Sequence, residues 1–275
     1  MQQKTINYNG KKIVYRTQGE GIPLVLVHGF GEHGEIWNNQ LEAFANYHLI
    51  IPDLPGSGES EMVDDMSMEG MADVLEKIIV HELATIFFQA AEPGSVIMIG
   101  HSMGGYITLA FAERKAAMLR GFGLFHSTAF ADSDEKKETR RKGIDFIKTH
   151  GAFEFLKTIT PNLYAPDSKQ KAPEKIQQHL DSARNFSGAA LVNYYEAMIQ
   201  RPDRTDILRN AKVPVLFIFG RHDTTAPLED GLKQCYLPES SYVHILENSG
   251  HMGMVEQPTE ANKHLLKYVN LISTS

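Results

Sequence analysis

The chain has 275 residues, of which 42% are hydrophobic and 22% charged, a composition that is ordinary for a globular protein and argues against disorder. The formal net charge of −7, with no strongly basic stretch to offset it, argues against a nucleic-acid partner. Cys235 is the only cysteine, so the chain can form neither an internal disulfide nor a cysteine zinc site.

The beginning of the chain carries no targeting signal that we recognise. Residues 1–7 lack the apolar stretch of a signal peptide, and no apolar run of about 18 residues occurs anywhere. We therefore expect a cytoplasmic protein without a membrane span, whose partner is a small-molecule substrate. The sequence leaves the oligomeric state open between monomer and homodimer.

The predicted elements alternate between strands and helices. Asn9-Gly10, between Lys4–Tyr8 and Lys12–Thr17, predicts a β-hairpin. Continuous apolar runs, typical of parallel strands covered on both faces, follow at Pro23–Val27, His48–Ile51, Ser95–Ile99, Phe122–Phe125, Val213–Phe219 and Tyr242–Leu246. Helical patterns occur at Ile36–Ala45, Gly70–Gln89, Met103–Arg114, Leu228–Cys235 and Pro258–Ile272. This order predicts an α/β fold: a mostly parallel eight-stranded sheet with helices on both faces.

One stretch, from about Asp132 to Asn210, contains helical patterns but no convincing strand. It begins with a pattern that resembles a capping box, Asp132 with Glu135 three residues later. We expect residues 1–130 and 211–275 to form the core domain and residues 131–210 to form a helical cap, inserted after the sixth strand. The alternative is a long crossover connection, although its length is unusual for one.

The strongest motif is Gly100-His101-Ser102-Met103-Gly104-Gly105, which lies between an apolar strand and a helical pattern. This is a G-x-S-x-G sequence in a strand–turn–helix context, where the serine hydroxyl is exposed at a tight turn. Side chains at Gly100 or Gly104 would crowd the neighbouring strand and helix. We predict Ser102 as a nucleophile, and the backbone N–H of Met103, at a helix N-terminus, as an oxyanion donor.

A second oxyanion donor is expected after the strand Pro23–Val27. The sequence there is His28-Gly29-Phe30-Gly31-Glu32, and glycines allow the backbone to approach a ligand closely. The backbone N–H of Phe30 is the predicted donor. The alternative is that these residues only turn the chain.

These motifs resemble those of the α/β-hydrolase fold superfamily, and in particular its lid-bearing, esterase-like serine hydrolases. The resemblance extends over essentially the whole chain. It is carried by His28-Gly29-Phe30-Gly31, by Asp53-Leu54-Pro55-Gly56-Ser57-Gly58-Glu59-Ser60 and by Gly100 to Gly105. It implies a triad in the chain order serine, acid, histidine.

The predicted general base is His251, in the loop after the last strand, because open α/β sheets bind ligands at the carboxyl ends of their strands. Asp223, after the strand Val213–Phe219, is the predicted acid that orients the imidazole. Some relatives place the acid after the preceding strand, but that position reads His126-Ser127-Thr128, with no carboxylate before Asp132.

Metal and cofactor sites are not predicted. His81-Glu82 lacks the second histidine of an H-E-x-x-H motif, and the glycines at 56 and 58 are followed by no Gly-Lys-Ser/Thr. We expect no metal, no nucleotide and no other cofactor.

The predicted activity is hydrolysis of an ester-like bond in a small apolar substrate, by transfer of the acyl group to Ser102 and then to water. The shared fold and triad leave carbon–carbon bond hydrolase, thioesterase and cofactor-free haloperoxidase-like activities open. A non-catalytic small-molecule receptor on the same fold is the alternative from another class. Candidate substrate-binding residues are His126 and, in the cap, Tyr194, Tyr195 and Met198.

Overall fold

The structure of the protein is a computed structural model that describes residues 1–87 and 96–273. Its eight strands form one sheet in the order β1-β2-β4-β3-β5-β6-β7-β8. The strands are β1 (Gln2–Tyr8), β2 (Lys11–Gln18), β3 (Pro23–Val27), β4 (His48–Pro52), β5 (Val96–His101), β6 (Leu119–Phe125), β7 (Val215–Gly220) and β8 (Ser241–Leu246). β2 pairs antiparallel with β1 and β4, and all other neighbours are parallel. The predicted mostly parallel eight-stranded sheet is confirmed.

Helices connect the strands. The α-helices are α1 (Met68–Phe87), α2 (Met103–Lys115), α3 (Asp134–His150), α4 (Ala152–Ile159), α5 (Pro166–Lys171), α6 (Pro173–Ser182), α7 (Gly188–Gln200), α8 (Thr205–Arg209), α9 (Leu228–Leu232), α10 (Gly253–Glu256) and α11 (Pro258–Ser273). Short 3₁₀ helices lie at Gly34–Gln40, Ala116–Met118 and Thr160–Leu163.

The sheet separates two hydrophobic cores, as the all-apolar strands predict. Along β3, Val25 and Val27 contribute to one core, whereas Leu24 and Leu26 contribute to the other. Successive side chains of a strand point to opposite faces, so a strand buried on both faces is apolar throughout. The first core also contains residues of α1 and α2, and the second contains residues of α11. Helices therefore cover both faces of the sheet.

The hairpin prediction is confirmed, since Asn9 and Gly10 have the positive φ angles, 51° and 85°, that a type I′ turn requires. β8 departs from the prediction of a buried strand because it is the edge of the sheet and most of its residues are only partly buried. Ser95 and Gln89, the predicted ends of a strand and a helix, lie outside the described residues.

Two predicted helices are wrong in kind or in length. Ile36–Ala45 was expected to be one helix, but the chain forms a 3₁₀ helix over Gly34–Gln40 and then turns. Burial of Trp37 against Phe125 overrides the weak local preference there. The helix predicted over Leu228–Cys235 ends at Leu232, and the following residues bond in turns from residue i to i+3.

The segment between β6 and β7 contains α3 to α8, and no residue from 126 to 214 lies in a strand. The predicted capping box is wrong. Ser133 is the N-cap of α3 and accepts the Lys136 N–H at 3.2 Å, while Asp132 pairs with Arg140. The division into a core domain and a cap at residues 131–210 stays a prediction.

Within the described residues, no helix is both long enough and apolar enough to span a membrane. The cytoplasmic location and the choice between monomer and homodimer stay predictions.

Candidate active site

Ser102 lies at the sharp turn between β5 and α2, and its backbone is strained. Its φ of 50° and ψ of −116° lie in a region that residues with a side chain rarely adopt. A Cβ on Gly100 would lie 2.2 Å from the carbonyl oxygen of Gly104, and a Cβ on Gly104 would lie 2.5 Å from that of Val27. Both glycines are therefore required for the helix to start directly against the strands.

The loops after β7 and β8 bring Asp223 and His251 together. Nδ1 of His251 lies 2.7 Å from Oδ2 of Asp223, and both residues are buried. The other carboxylate oxygen, Oδ1, accepts the backbone N–H groups of Thr225 and Ala226 at 2.8 and 2.9 Å. Burial alone would raise the pKa of the Asp223 carboxyl, but His251 and His126 hold that pKa well below its ordinary value. Asp223 is therefore a carboxylate whose Oδ2 accepts a hydrogen bond from Nδ1 of His251.

His126 is a second imidazole on the same carboxylate. It follows β6, has a φ of 50°, and its Nδ1 lies 3.1 Å from Oδ2 of Asp223. Burial lowers the pKa of His126 to about 4, although Asp223 acts in the opposite direction. A neutral ring whose Nδ1 donates to Asp223 leaves Nε2 as an acceptor, and Nε2 is buried without a partner among the described residues. His126, which is predicted as a candidate for substrate binding, thus contacts Asp223 in the structure.

His126, Asp223 and His251 also form a group whose ligating atoms all lie within 4.8 Å of one another. Ligands of a tetrahedral zinc ion, at about 2.0–2.1 Å from the metal, would be separated by roughly 3.3 Å. The separation of 2.7 Å between His251 Nδ1 and the Asp223 oxygen is shorter and matches a charge-assisted hydrogen bond. The geometry of this group therefore favours hydrogen bonding over metal binding.

One predicted oxyanion donor, Met103, directly follows Ser102, and the other, Phe30, belongs to the loop after β3. The backbone N–H groups of Phe30 and Met103 have no hydrogen-bond acceptor within the described part of the chain. Gly29, next to Phe30, is so close to Ser102 that a Cβ there would lie 3.1 Å from Cβ of Ser102. The loop after β3 is therefore adjacent to the turn that holds Ser102, as the sequence predicts.

A buried ion pair connects the three loops of the site. Oε2 of Glu32 accepts the Gly29 N–H at 2.7 Å and contacts Nδ1 of His101 at 3.0 Å. Nε2 of His101 lies 2.9 Å from the carbonyl oxygen of His251. Since both partners of the ring are acceptors, both ring nitrogens must donate, and His101 is an imidazolium.

The electrostatics of this pair agree with that assignment. Burial would raise the pKa of Glu32, but His101 lowers it to about 2. Burial would lower the pKa of His101, but Glu32 raises it above its ordinary value. Neither Glu32 nor His101 is among the candidate residues predicted from the sequence. The signal that could have identified them is a charged or titratable side chain inside an otherwise buried motif.

The predicted cap residues contact the loop after β3 and the loop after β4. The Tyr195 ring stacks on the Phe30 ring at 4.3 Å between centroids. The Tyr194 hydroxyl donates to the carbonyl oxygen of Pro55 at 2.7 Å. Met198 is buried one turn further along α7. The Tyr194 ring also contacts the Phe30 ring, edge to face, at 6.2 Å between centroids, so both tyrosines contact a predicted oxyanion residue. Substrate binding by all three residues stays a prediction.

The α3–α8 segment also holds the loop of the predicted base. The backbone N–H of His251 donates to the carbonyl oxygen of Leu163 at 2.6 Å. Ser127, which follows His126, donates its hydroxyl to the carbonyl oxygen of Ser102 at 2.7 Å. The first bond joins the α3–α8 segment to the loop of His251, and the second joins the end of β6 to the turn at Ser102.

The fold and this arrangement define a hydrolase of the α/β class. Residues 24–263 match the sequence model of the Alpha/beta hydrolase family, and the chain belongs to this family. The resemblance stated from the motifs is confirmed.

The proteins to which this chain is similar have several different activities. A 2-hydroxy-6-oxononadienedioate/2-hydroxy-6-oxononatrienedioate hydrolase of Paraburkholderia phymatum is 29% identical, over 94% of this chain and 91% of its own. Lipase 1 of Psychrobacter immobilis is 29% identical, over 90% of this chain and 77% of its own. A thermophilic esterase from Thermogutta terrifontis, solved with malate bound, is 27% identical and superposes with a TM-score of 0.89, covering 99% of this chain and 100% of that one.

Proposed function

We propose that this protein is a serine hydrolase that cleaves an ester-like bond of a small substrate through an acyl-enzyme. The observation that carries the proposal is the buried bond of 2.7 Å between His251 Nδ1 and Asp223, in a fold that presents Ser102 on a strained turn. A serine at its free pKa is a poor nucleophile, and an imidazole in a fixed tautomer is the base that it needs.

In the proposed mechanism, Oγ of Ser102 attacks the carbonyl carbon and Nε2 of His251 takes its proton. The Asp223 carboxylate stabilises the imidazolium that forms. The backbone N–H groups of Phe30 and Met103 donate to the oxyanion, each contributing about 3 kcal/mol to the lowering of the barrier. His251 then protonates the leaving group and activates water, which releases the acid and restores Ser102.

The α3–α8 segment is proposed to act as the cap of this site. Leu163 bonds to the loop of the predicted base, and Tyr195 stacks on Phe30, so the segment contacts the loops that carry two parts of the proposed machinery. A cap that excludes water strengthens the electrostatic interactions at the reacting carbonyl.

Carbon–carbon bond hydrolysis with the same triad is the second candidate. It is favoured by the dienedioate hydrolase of Paraburkholderia phymatum, which has the same level of identity as the lipase. Turnover of a ring-cleavage diketone at a higher kcat/KM than that of any 4-nitrophenyl ester would favour this candidate. Thioesterase activity and a non-catalytic receptor are the remaining alternatives.

The proposal predicts that a fluorophosphonate labels the wild-type protein and does not label Ser102→Ala. Turnover of 4-nitrophenyl esters by Ser102→Ala should fall by a factor on the order of 10⁶. Ser241→Ala is the matched control, because Ser241 starts β8 at the opposite end of the sheet. Labelling or turnover that survives in Ser102→Ala means that another residue is the nucleophile.

A further inference from the structure

Beside the proposed site lies a cationic cluster, which we define as Lys136, Arg140 and Arg201 with the single carboxylate Asp132. Arg140 Nε lies 2.5 Å and Arg201 Nη1 3.0 Å from the Asp132 oxygens. The two arginine side chains are only 13% and 3% exposed, and that of Asp132 is 1% exposed. Two buried guanidinium groups thus share one buried carboxylate.

Arg201 also donates to the carbonyl oxygens of Met198 and Phe130, each at 2.9 Å, but another buried arginine is balanced by a second carboxylate instead. Arg204 is as buried as Arg201, but it forms ion pairs with two carboxylates, those of Glu69 and Glu113. A buried charge without a counter-charge is costly, so a surplus next to a site indicates an anionic ligand. Nη1 of Arg140 also has no hydrogen-bond partner among the residues that the structure describes, and is free to donate.

Two aromatic rings connect the cluster to elements that carry the proposed site. The Arg140 guanidinium lies 5.4 Å from the centre of the Tyr195 ring, which stacks on Phe30 at 4.3 Å. The Arg201 guanidinium lies 3.8 Å from the centre of the Tyr106 ring, one helical turn after Ser102 in α2.

Lys136 connects the cluster to the loop that carries Asp223. It precedes Arg140 by one turn of α3, and its Nζ donates to the carbonyl oxygen of Thr225 at 3.0 Å. Thr225 in turn donates its backbone N–H to the predicted acid Asp223. Arg140 is therefore connected through Tyr195 to the loop of Phe30, and Lys136 is connected through Thr225 to the loop of Asp223.

The positive charge of the cluster also acts on the hydroxyl of Tyr106. Burial would raise the pKa of the Tyr106 hydroxyl, but the pKa lies below its ordinary value. The cause is the positive charge of the cluster, which Asp132 opposes only in part. The hydroxyl also has no hydrogen-bond partner in the described ranges of the chain, and it is available to a ligand.

We propose that this cluster binds a free carboxylate at the far end of the substrate, so that the substrate is a half-ester of a dicarboxylic acid. This inference rests on the proposed function, and hydrolysis would yield the diacid and an alcohol. Because the Arg140 guanidinium contacts Tyr195 and Tyr195 stacks on Phe30, the carboxylate is assigned to the end of an acyl chain of about six carbons, the length of adipate. A planar guanidinium suits a carboxylate because it can donate two parallel hydrogen bonds.

The first test measures binding without turnover, by calorimetry with adipate and with the neutral adipamide. Wild type should bind adipate at least tenfold more tightly than adipamide. Arg140→Gln and Lys136→Gln should each bind adipate about tenfold more weakly than wild type does. Arg141→Gln is the matched control, because Arg141 follows Arg140 on α3 but is 55% exposed and pairs only with Glu138. Lys136→Gln also guards against misfolding of Arg140→Gln, since the Lys136 ammonium donates to a neutral carbonyl oxygen.

The second test compares the kcat/KM values of mono-4-nitrophenyl adipate and methyl 4-nitrophenyl adipate, which differ only in the free carboxylate. Wild type and Arg141→Gln should prefer the acid at least tenfold, and Arg140→Gln should lose this preference. Equal binding of adipate and adipamide, or an unchanged preference in both Arg140→Gln and Lys136→Gln, overturns the inference. Fluorophosphonate labelling of Ser102 would then still support the proposed function, whereas adipate binding without labelling would overturn the proposed function alone.

Discussion

The buried pair of Glu32 and His101 makes a quantitative prediction possible. Glu32→Gln keeps the shape of the side chain and an oxygen that can accept from Gly29. It removes the negative charge, and the buried imidazolium of His101 then loses the carboxylate that it contacts directly. The ring then loses a proton, and one hydrogen bond of the cluster is lost with it. If the amide oxygen accepts from Gly29 and from Nδ1, Nε2 can no longer donate to the carbonyl oxygen of His251; if the amide nitrogen donates to Nδ1 instead, Gly29 loses its acceptor.

The expected cost follows from the burial of both partners. Breaking a buried ion pair by removing one charge costs about 3–5 kcal/mol, and the low end applies because glutamine keeps an acceptor. A loss of about 3 kcal/mol should lower the melting temperature of a chain of this size by roughly 6–12 °C. Since the pair connects the loop of Phe30 to the loop of His251, kcat/KM should fall by about 10- to 100-fold.

The pH dependence gives the sharper measurement. The pKa of His101 is raised by folding, so its contribution to stability is complete below its unfolded value near 6.5 and is lost as the pH rises through the folded value. The pKa of Glu32 is lowered to about 2, so its contribution is present above its unfolded value near 4.5 and is lost as the pH falls. The free energy of unfolding of wild type minus that of Glu32→Gln should therefore be largest between about pH 4.5 and 6.5.

Urea unfolding at pH 5.5 and pH 9 measures this difference directly. Glu35→Gln is the control, because Glu35 belongs to the same segment but is 56% exposed and lies 3.7 Å from Arg16. Its stability should stay within about 0.5 kcal/mol of wild type. If Glu32→Gln unfolds like Glu35→Gln, or if its deficit is equal at the two pH values, the assignment of a buried imidazolium is wrong.

Two further variants test the acid of the proposed triad. Asp223→Asn should lower kcat by about 10⁴-fold, because an amide favours the wrong tautomer of His251, and near-normal kcat would show that another carboxylate serves as the acid. His126→Leu removes the second donor on Asp223 and should move the acid limb of the kcat/KM profile up by roughly half a pH unit, since more negative charge then faces His251. His126→Asn keeps an N–H near the position of Nδ1 and suits the positive φ, so its profile should match wild type. Identical profiles for the leucine and asparagine variants, in proteins that melt like wild type, would contradict a tuning role.

Much of the fold could be predicted because it depends on local patterns. Pro23–Val27 forms the strand that its apolar run predicts, and Asn9-Gly10 forms the predicted turn. The errors arise where distant contacts outweigh local preference. The predicted helix after Gly34 becomes a 3₁₀ helix where Trp37 packs into the core, and Asp132 pairs with Arg140 and Arg201 although its spacing from Glu135 suggests a cap.

The sequence by itself determined where the candidate nucleophile, base and acid stand along the chain. Ser102, Asp223 and His251 each follow a strand end, and the parallel order of β5, β7 and β8 brings strand ends to one edge of the sheet. What only the tertiary structure decided is how these loops are held. The Glu32–His101 pair and the contact of His126 with Asp223 join residues that are 69 and 97 positions apart. Such partners are selected by burial, which forces each polar group to find a hydrogen bond, and no local spacing records which partner is found.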